Sequence, residues 1–429
     1  VRVSDAASVN RAIEAVWRIE SAKIIGGLAR VLRDVGLAEE FAQDALVAAL
    51  EQWPVRGMPD KPVAWLTTTA KHRAIDWIRR RALHERSESS LTYEIEGRLD
   101  DAAANLEASI DATFDDPIGD DVLRLMFIAC HPVLSREVRA ALTLKLLGGL
   151  TTQEIARAFV VPEATIAQRI VRAKRTLAEA KIAFDAPLDA ELAPRLASVL
   201  EVIYLIFNEG YSATAGDDWT RPTLCEEALR IGRILAGLAS GEGEAHGLVA
   251  LMEIQASRLR ARVGPDGEPV LLLDQDRARW DRLLIRRGLA ALKRAESIAG
   301  HDGLGPYALQ AAIAACHARA KVADETDWAR IVALYDALAA RAPSPIVELN
   351  RAVAVSMAFG PAEALAIVDT LTAQSGLASY HLLPSVRGDL LAKLGRNAEA
   401  RAEFERAASL AQNTRERALL LQRAAACAS

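Results

Sequence analysis

Apolar residues recur along this chain at the spacing of a helix and scarcely anywhere at that of a strand. Between positions 9 and 33, Ile13, Val16, Trp17, Ile24, Leu28, Val31 and Leu32 follow a helical period. Alternating β-branched runs bounded by turn residues are scarce. Ala and Leu dominate and aromatics make up 5% of the chain, a composition that favours helix. The sequence predicts an all-α protein. Its 429 residues, at roughly 100–200 per domain, give room for two to four domains.

Turn signals divide the helices. A second helix is expected over about 38–53, with Glu39, Glu40, Asp44 and Glu51 on its polar face. The loop PVRGMPDKP carries Pro and Gly breakers, and a third helix over about 62–81 contains AWLTTTAKHRAIDWIRRR. Helices are expected again over 120–129 and 135–147, closed by Gly148 and Gly149. Thr151 and Glu154 then have the spacing of a capping box, in which each side chain satisfies an orphan amide of the other. After the turn FVVPE, where Pro162 fits a first helical turn, ATIAQRIVRAKRTLAEAK forms a basic helix. This is a helix–turn–helix pattern.

The net charge of −5 argues against a nucleic-acid binder until its distribution is examined. Basic residues crowd positions 71–86 and 169–181. Between them, Glu88, Glu94, Glu96, Asp100, Asp101, Glu107, Asp111, Asp115 and Asp116 face only Arg98. Two DNA-facing modules joined by a solvated acidic linker fit this order. In the second module Glu163, Thr165, Gln168, Arg169 and Arg172 lie on or near one helix face. Gln can pair with adenine and Arg with guanine, while Lys174 and Arg175 suit phosphates. A merely solvated basic face is the alternative. In the first module Lys71, Arg73, Arg79, Arg80 and Arg81 are interleaved with Trp65 and Trp77. The tryptophans either stack on unpaired bases or belong to the core. Asp76 among these cations suits the ordering of Arg side chains. The acidic helix with Glu39, Glu40 and Asp44 is either solvated or a docking face for a basic protein partner.

LAEEFAQDALVAALEQW followed by PVAWLTTTAKHRAIDWIRRR resembles region two of the extracytoplasmic-function sigma factors, and TTQEIARAFVVPEATIAQRIVRAKRTL resembles their region four. The resemblance spans about residues 8–182. It implies a region-two domain over 1–86, a linker over 87–116 and a region-four helix–turn–helix domain over 117–182. It further implies that Glu39, Glu40 and Asp44 grip the clamp helices of the polymerase β′ subunit. The loop from Arg56 to Lys61, with Lys71, His72, Arg73, Arg79 and Arg80, would read and melt the minus-ten element. Glu163, Thr165, Gln168, Arg169 and Arg172, with Lys174 and Arg175 on phosphates, would read the minus-thirty-five element. The implied partners are promoter DNA and core RNA polymerase, including its β flap. His72 stands where the family commonly has Asn, and Val160 where the turn commonly has Gly.

The remaining segment, 183–429, reads as helix after helix. Ala362-Glu363-Ala364 after Gly360 recurs 36 residues later as Ala398-Glu399-Ala400 after Gly395, with a degenerate copy around 329–338. A period near 34 residues marks stacked helical hairpins of tetratricopeptide type, and the resemblance extends to a sigma-factor subgroup with such an extension. This tail is expected to regulate the sigma module, through a protein or small ligand. Asn208, Glu209, Asp274, Asp276, Arg277 and Trp280 either line a site or cap loops and form buried ion pairs. The rival reading of the whole is a one-component helix–turn–helix regulator with a helical sensor, which leaves the acidic helix and the Trp-rich basic helix without a role.

No catalytic motif is present: no His-Glu-x-x-His, no Gly-x-Ser-x-Gly, no phosphate-binding loop. Cys130, Cys225, Cys316 and Cys427 lie far apart without zinc spacing and read as reduced thiols. The sequence therefore predicts a non-enzymatic protein without cofactor or metal. It shows neither a signal peptide nor a membrane span, so a cytoplasmic location is expected.

Overall fold

The computed structural model describes residues 3–87, 119–159, 161–180, 182, 189–213, 218–265, 267–372, 377 and 380–427. Among these, extended chain pairs only in an isolated antiparallel bridge between Val263 and Pro269; the rest of the regular structure is helical, as expected. The acidic linker at 88–116 and Val160 lie outside the described residues. The chain divides into two compact units, Val1–Val202 and Ile203–Ser429.

The first unit contains α1 (Val3–Leu32), α2 (Val35–Arg56), α3 (Pro62–Ser87), α4 (Gly119–Ala129), α5 (Arg136–Leu146), α6 (Thr152–Phe159) and α7 (Glu163–Glu179). Helix α8 (Asp189–Tyr211) runs through the division. Arg33, at φ 50°, ends α1. Asp34 then caps α2 by accepting from the backbone N–H of Gly36 (2.7 Å) and Leu37 (3.0 Å). This cap starts the helix three residues before the position the apolar period suggests. Gly57, at φ 87°, ends it, its N–H donating to Trp53 O (2.9 Å). Helices α2 and α3 pack on α1 around Ile13, Phe41, Trp53, Leu66, Ala70 and Ala74.

The capping box forms as the spacing predicts. The Thr151 N–H donates to Glu154 Oε2 (2.8 Å), and the Glu154 N–H donates to Thr151 Oγ1 (3.1 Å). Pro162 differs from expectation. It occupies the N-cap of α7 at φ −58°, ψ 143°, so Glu163 is the first helical residue. The extended ψ suits a cap, and the proline ring fixes φ equally well there. The first unit also continues beyond 182, the expected end of the sigma module. Ser198 Oγ donates to Cys130 O (2.5 Å), Arg195 donates to Phe127 O (2.8 Å), and Arg139 bonds both Ser198 and Glu201. The first half of α8 is therefore held to α4 and α5.

The second unit is a run of helices in which successive elements pack on one another: α9 (Pro222–Leu238), α10 (Gly243–Ala256), α11 (Arg282–Ala299), α12 (Pro306–Arg319), α13 (Trp328–Arg341), α14 (Pro345–Ala358), α15 (Pro361–Thr372), α16 (Leu382–Lys393), α17 (Asn397–Leu410) and α18 (Thr414–Ala426). The repeated Ala-Glu-Ala triplets fall in the first turns of α15 and α17, where Ala364 and Ala400 are fully buried. The polar patches of this unit serve as caps and buried bonds. Asp276 accepts from the Ala278 N–H, and Asp281 caps α11. Arg277 donates to the carbonyls of His317 and Ala320 and to Thr326 Oγ1. Glu209 pairs with Arg221, Trp280 is buried and Asp274 is exposed. Burial pushes the Cys130 thiol to about 11 and that of Cys225 to about 12, so both stay protonated at neutral pH.

Phe404 anchors the end of the second unit. It is 1% exposed, fits against Gly388 and lies under the Arg423 guanidinium. Phe404→Ala should destabilise this unit by about 3–5 kcal/mol, read as an earlier urea transition of the full chain. A loss below about 1 kcal/mol would show that neighbouring helices collapse into the space.

Candidate nucleic-acid interface

Helix α3 is built on two faces. Leu66, Ala70, Ala74 and Ile75 fall at helical spacing and are buried. The opposite face exposes His72, Arg73, Asp76, Arg79 and Arg80. The cations cannot join the core unpaired because a buried ammonium or guanidinium loses its hydration, so the apolar stripe fixes which way they point. Lys71 is half-buried, while Arg56 and Lys61, flanking the loop between α2 and α3, are exposed. Arg73 reaches Asp44 of α2 at 3.6 Å. Trp65 and Trp77 are half-buried: Trp65 sits edge-on to Trp53 at 5.4 Å, and Trp77 lies 6.2 Å from Phe41 with the Arg81 guanidinium over its ring. Both rings thus contact the core while remaining partly exposed.

Helix α7 follows the same logic. Ile166, Ile170, Ala173 and Leu177 are buried. Glu163, Gln168, Arg172 and Arg175 are exposed, and Thr165 and Arg169 partly so. Arg175 donates to Glu179 at 2.6 Å. The Glu137 carboxyl is held below its usual range, first by its own backbone N–H, then by Ser135, with Arg169 adding to the effect. The face that a helix–turn–helix offers to a major groove thus carries both donors and acceptors.

Four carboxylates were expected on the polar face of α2; Glu51 is exposed, and the structure separates the other three. Glu40 is exposed and Asp44 partly so. Glu39 is instead 3% exposed. It accepts from Gln43 Nε2 (2.6 Å), lies 3.6 Å from Lys145 Nζ of α5 and is in direct contact with Lys174 Nζ of α7. Lys174, expected on a DNA phosphate, is therefore engaged within the protein. The correction has a physical cause: α4 and α5 pack on α1, which brings Lys145 and Lys174 to Glu39, and a buried carboxylate needs cationic partners.

Sequence reasoning missed the rest of this seam. Arg18 of α1 pairs with Glu154 at 2.9 Å, and Arg30 lies 3.6 Å from Asp121. Burial raises the Glu154 carboxyl, but the bonds from Thr151 and the charge of Arg18 outweigh it and hold the group below its usual range. A local signal did exist. Gly26 sits in the middle of α1, where a Cβ would lie 3.0 Å from Asp121 O. Glycine inside a helix costs about 1 kcal/mol relative to Ala, and here it permits the backbones to approach.

Comparison with known proteins follows this division. Sigma-70 region 2 matches residues 20–83, and sigma-70 region 4 matches residues 124–177. A family of unknown function (DUF6596) matches residues 195–296. The chain is 44% identical over 397 residues to a Rhizobium meliloti (strain 1021) protein named "Uncharacterized protein R00370", covering 92% of this chain and 91% of that one. It is 31% identical over 159 residues to the ECF RNA polymerase sigma factor SigK of Mycobacterium ulcerans (strain Agy99), covering 36% of this chain and 78% of the relative. The SigK of Mycobacterium tuberculosis (strain ATCC 25177 / H37Ra) matches with the same identity and coverage. No solved structure matches. Among the described residues no helix is long and apolar enough to cross a membrane. With an acidic helix, a cationic helix and a helix–turn–helix in that order, and with these relatives, the chain belongs to the extracytoplasmic-function sigma factors, non-enzymatic initiation factors that bind core RNA polymerase and recognise promoters.

Proposed function

We propose that this sigma factor divides its work among three helices. Glu40 and Asp44 of α2 engage the β′ clamp helices of core polymerase. The loop from Arg56 to Lys61 and the α3 residues Lys71, His72, Arg73, Arg79 and Arg80 read and melt the minus-ten element. Glu163, Thr165, Gln168, Arg169 and Arg172 of α7 read the minus-thirty-five element beside the β flap, with Arg175 on phosphates. The observation that carries this reading is the exposed cationic stripe of α3. A solvated stripe needs no flanking tryptophan edges, whereas single-stranded DNA is held by cations along its backbone and rings that stack on its bases.

Purified full-length protein added to core polymerase should direct initiation from one promoter class. Asp44→Lys, which reverses a partly exposed charge, should weaken core binding roughly tenfold or more, since rim charges govern association. Unchanged binding would remove α2 from the polymerase interface. Arg169→Ala should cost about 1–3 kcal/mol at a minus-thirty-five element and relax preference at one base pair. A uniform loss across sequences would make Arg169 a phosphate contact.

We further propose that the C-terminal helical unit is a repeat domain of tetratricopeptide type that regulates the sigma module. Stacked hairpins present an extended surface for a protein or small ligand. Truncation belongs after position 202 rather than 182, because Ser198 and Glu201 are the bonded partners of buried Arg139. The truncated protein should show altered transcription from the target promoter. Unchanged and still regulated transcription would sink the idea.

A further inference from the structure

The second unit pairs several of its partly buried arginines with carboxylates: Arg221 with Glu209, Arg387 with Glu403 and Arg423 with Asp389. Arg258 and Arg262, which follow α10, depart from this pattern. Among the described residues neither makes an ion pair, and both lie against aromatic rings. Arg258 donates to Tyr211 Oη at 2.7 Å, and its guanidinium lies 5.8 Å from the centre of the Trp280 ring. The Arg262 guanidinium lies 3.9 Å from the centre of the Tyr211 ring and 5.4 Å from that of Trp219. Four N–H groups of this cluster are buried without an acceptor: Nε of Arg258 and Arg262, and Nε1 of Trp219 and Trp280. Trp280 itself is only 4% exposed.

We propose that Arg258 and Arg262, with the indole N–H groups of Trp219 and Trp280, bind the phosphoryl group of a small phosphorylated molecule. Buried donors require acceptors, and a ring face attracts a cation without filling its hydrogen bonds. The matching partner is an anion rich in acceptor oxygens. Two guanidiniums suit the charge of a phosphate monoester, about −1.5 to −2 over three oxygens, whereas a single carboxylate brings one charge. Arginine binds phosphate edge-on through its fork of N–H groups, and rings against its face leave the edge for this. Gln255 Oε1, three residues before Arg258, also lacks a partner, but a neutral amide oxygen cannot offset two charges. The donors lie inside the unit, which suits a small molecule rather than a macromolecular surface.

The local field is positive. Burial first, and then the charges of Arg258 and Arg277, push His317 down to about 4, so it is neutral at neutral pH. Burial also lowers the Arg262 guanidinium; the Tyr211 phenol opposes this and Arg258 adds to it. Arg277 uses its donors on the carbonyls of His317 and Ala320 and contributes charge to the cluster. A bound dianion relieves this repulsion.

Binding stands apart from regulation; only the regulatory use of the ligand rests on the reading of this unit as a regulator. The test uses the full chain, with inorganic phosphate, glycerol 3-phosphate and succinate as probes at constant ionic strength. Calorimetry should show saturable binding of both phosphoryl probes in the millimolar range or tighter, and thermal unfolding should shift upward with their concentration. Arg258→Gln and Arg262→Gln should each weaken binding roughly tenfold or more, the loss expected for a hydrogen bond to a charged group. Arg351→Gln, which removes an arginine paired with Asp336, should leave binding unchanged. Without ligand, Arg258→Gln and Arg262→Gln should melt no lower than the parent, because each removes one of two like charges. Arg262→Lys, which keeps the charge, should recover part of the phosphate binding. No saturable phosphate binding by the parent, or affinities in both Gln variants within about twofold of the parent, would overturn the site. Succinate bound as tightly as phosphate would overturn the phosphoryl assignment. Gln variants that melt lower as they lose binding, with Arg262→Lys no better than Arg262→Gln, would make these arginines structural and overturn the proposal. Transcription from the target promoter is read separately: a phosphoryl probe that binds without changing it would remove the regulatory use and uphold the site.

Discussion

The first unit depends on one stretch of α1 that has no solvent face. From Ser21 to Ala29 every side chain but that of Lys23 is buried. A helix apolar on one stripe packs against one layer, whereas one apolar all round must be enclosed. Here α2 and α3 enclose it together with α4 and α5. Gly26 and Gly27 lie in the middle of the stretch, and the small residues set how near α4 can come. A Cβ at position 26 would meet the backbone of Asp121, so a larger residue there would push α4 away and loosen the seam that holds Glu39.

The helices were legible in the sequence because helix signals are local. The apolar period of α7 returns as buried Ile166, Ile170, Ala173 and Leu177, and the Thr151–Glu154 box forms its bonds within one turn. The repeated triplets likewise mark equivalent first turns of α15 and α17. What escaped was non-local. Arg18 and Glu154 stand 136 positions apart, and nothing beside either residue specifies the other. Glu39 was misplaced for the same reason: a charged residue beside Glu40 on a polar face looks solvated until another helix is laid over it. Only the Gly26-Gly27 pair offered a local hint, through the helix propensity it sacrifices.

The polar patches of the second unit show the opposite limit. Asp276, Arg277 and Asp281 look like a site when written in a row. Folded, two of them cap turns, and the guanidinium satisfies the end of α12 and the turn after it. Asn413 is fully buried for a similar purpose: its Oδ1 caps α18 while its amide donates to Asp218 O at 2.9 Å. Buried backbone groups must be bonded, and a helical unit with many turns has many ends to satisfy. Density of polar residues therefore measures the number of helix ends here before it measures function.

Charge and apolar contact divide the labour within the sigma module. Each region keeps its own core of Ile, Leu, Phe and Trp, which contributes about 25 cal/mol per Å² of apolar surface removed from water. The two regions meet where α4 and α5 cover the apolar stretch of α1, with Gly26 permitting the close approach and the ion pairs of Glu39 beside that packing. A buried carboxylate at such a meeting is held by its cationic partners, because without them it would lose its hydration uncompensated.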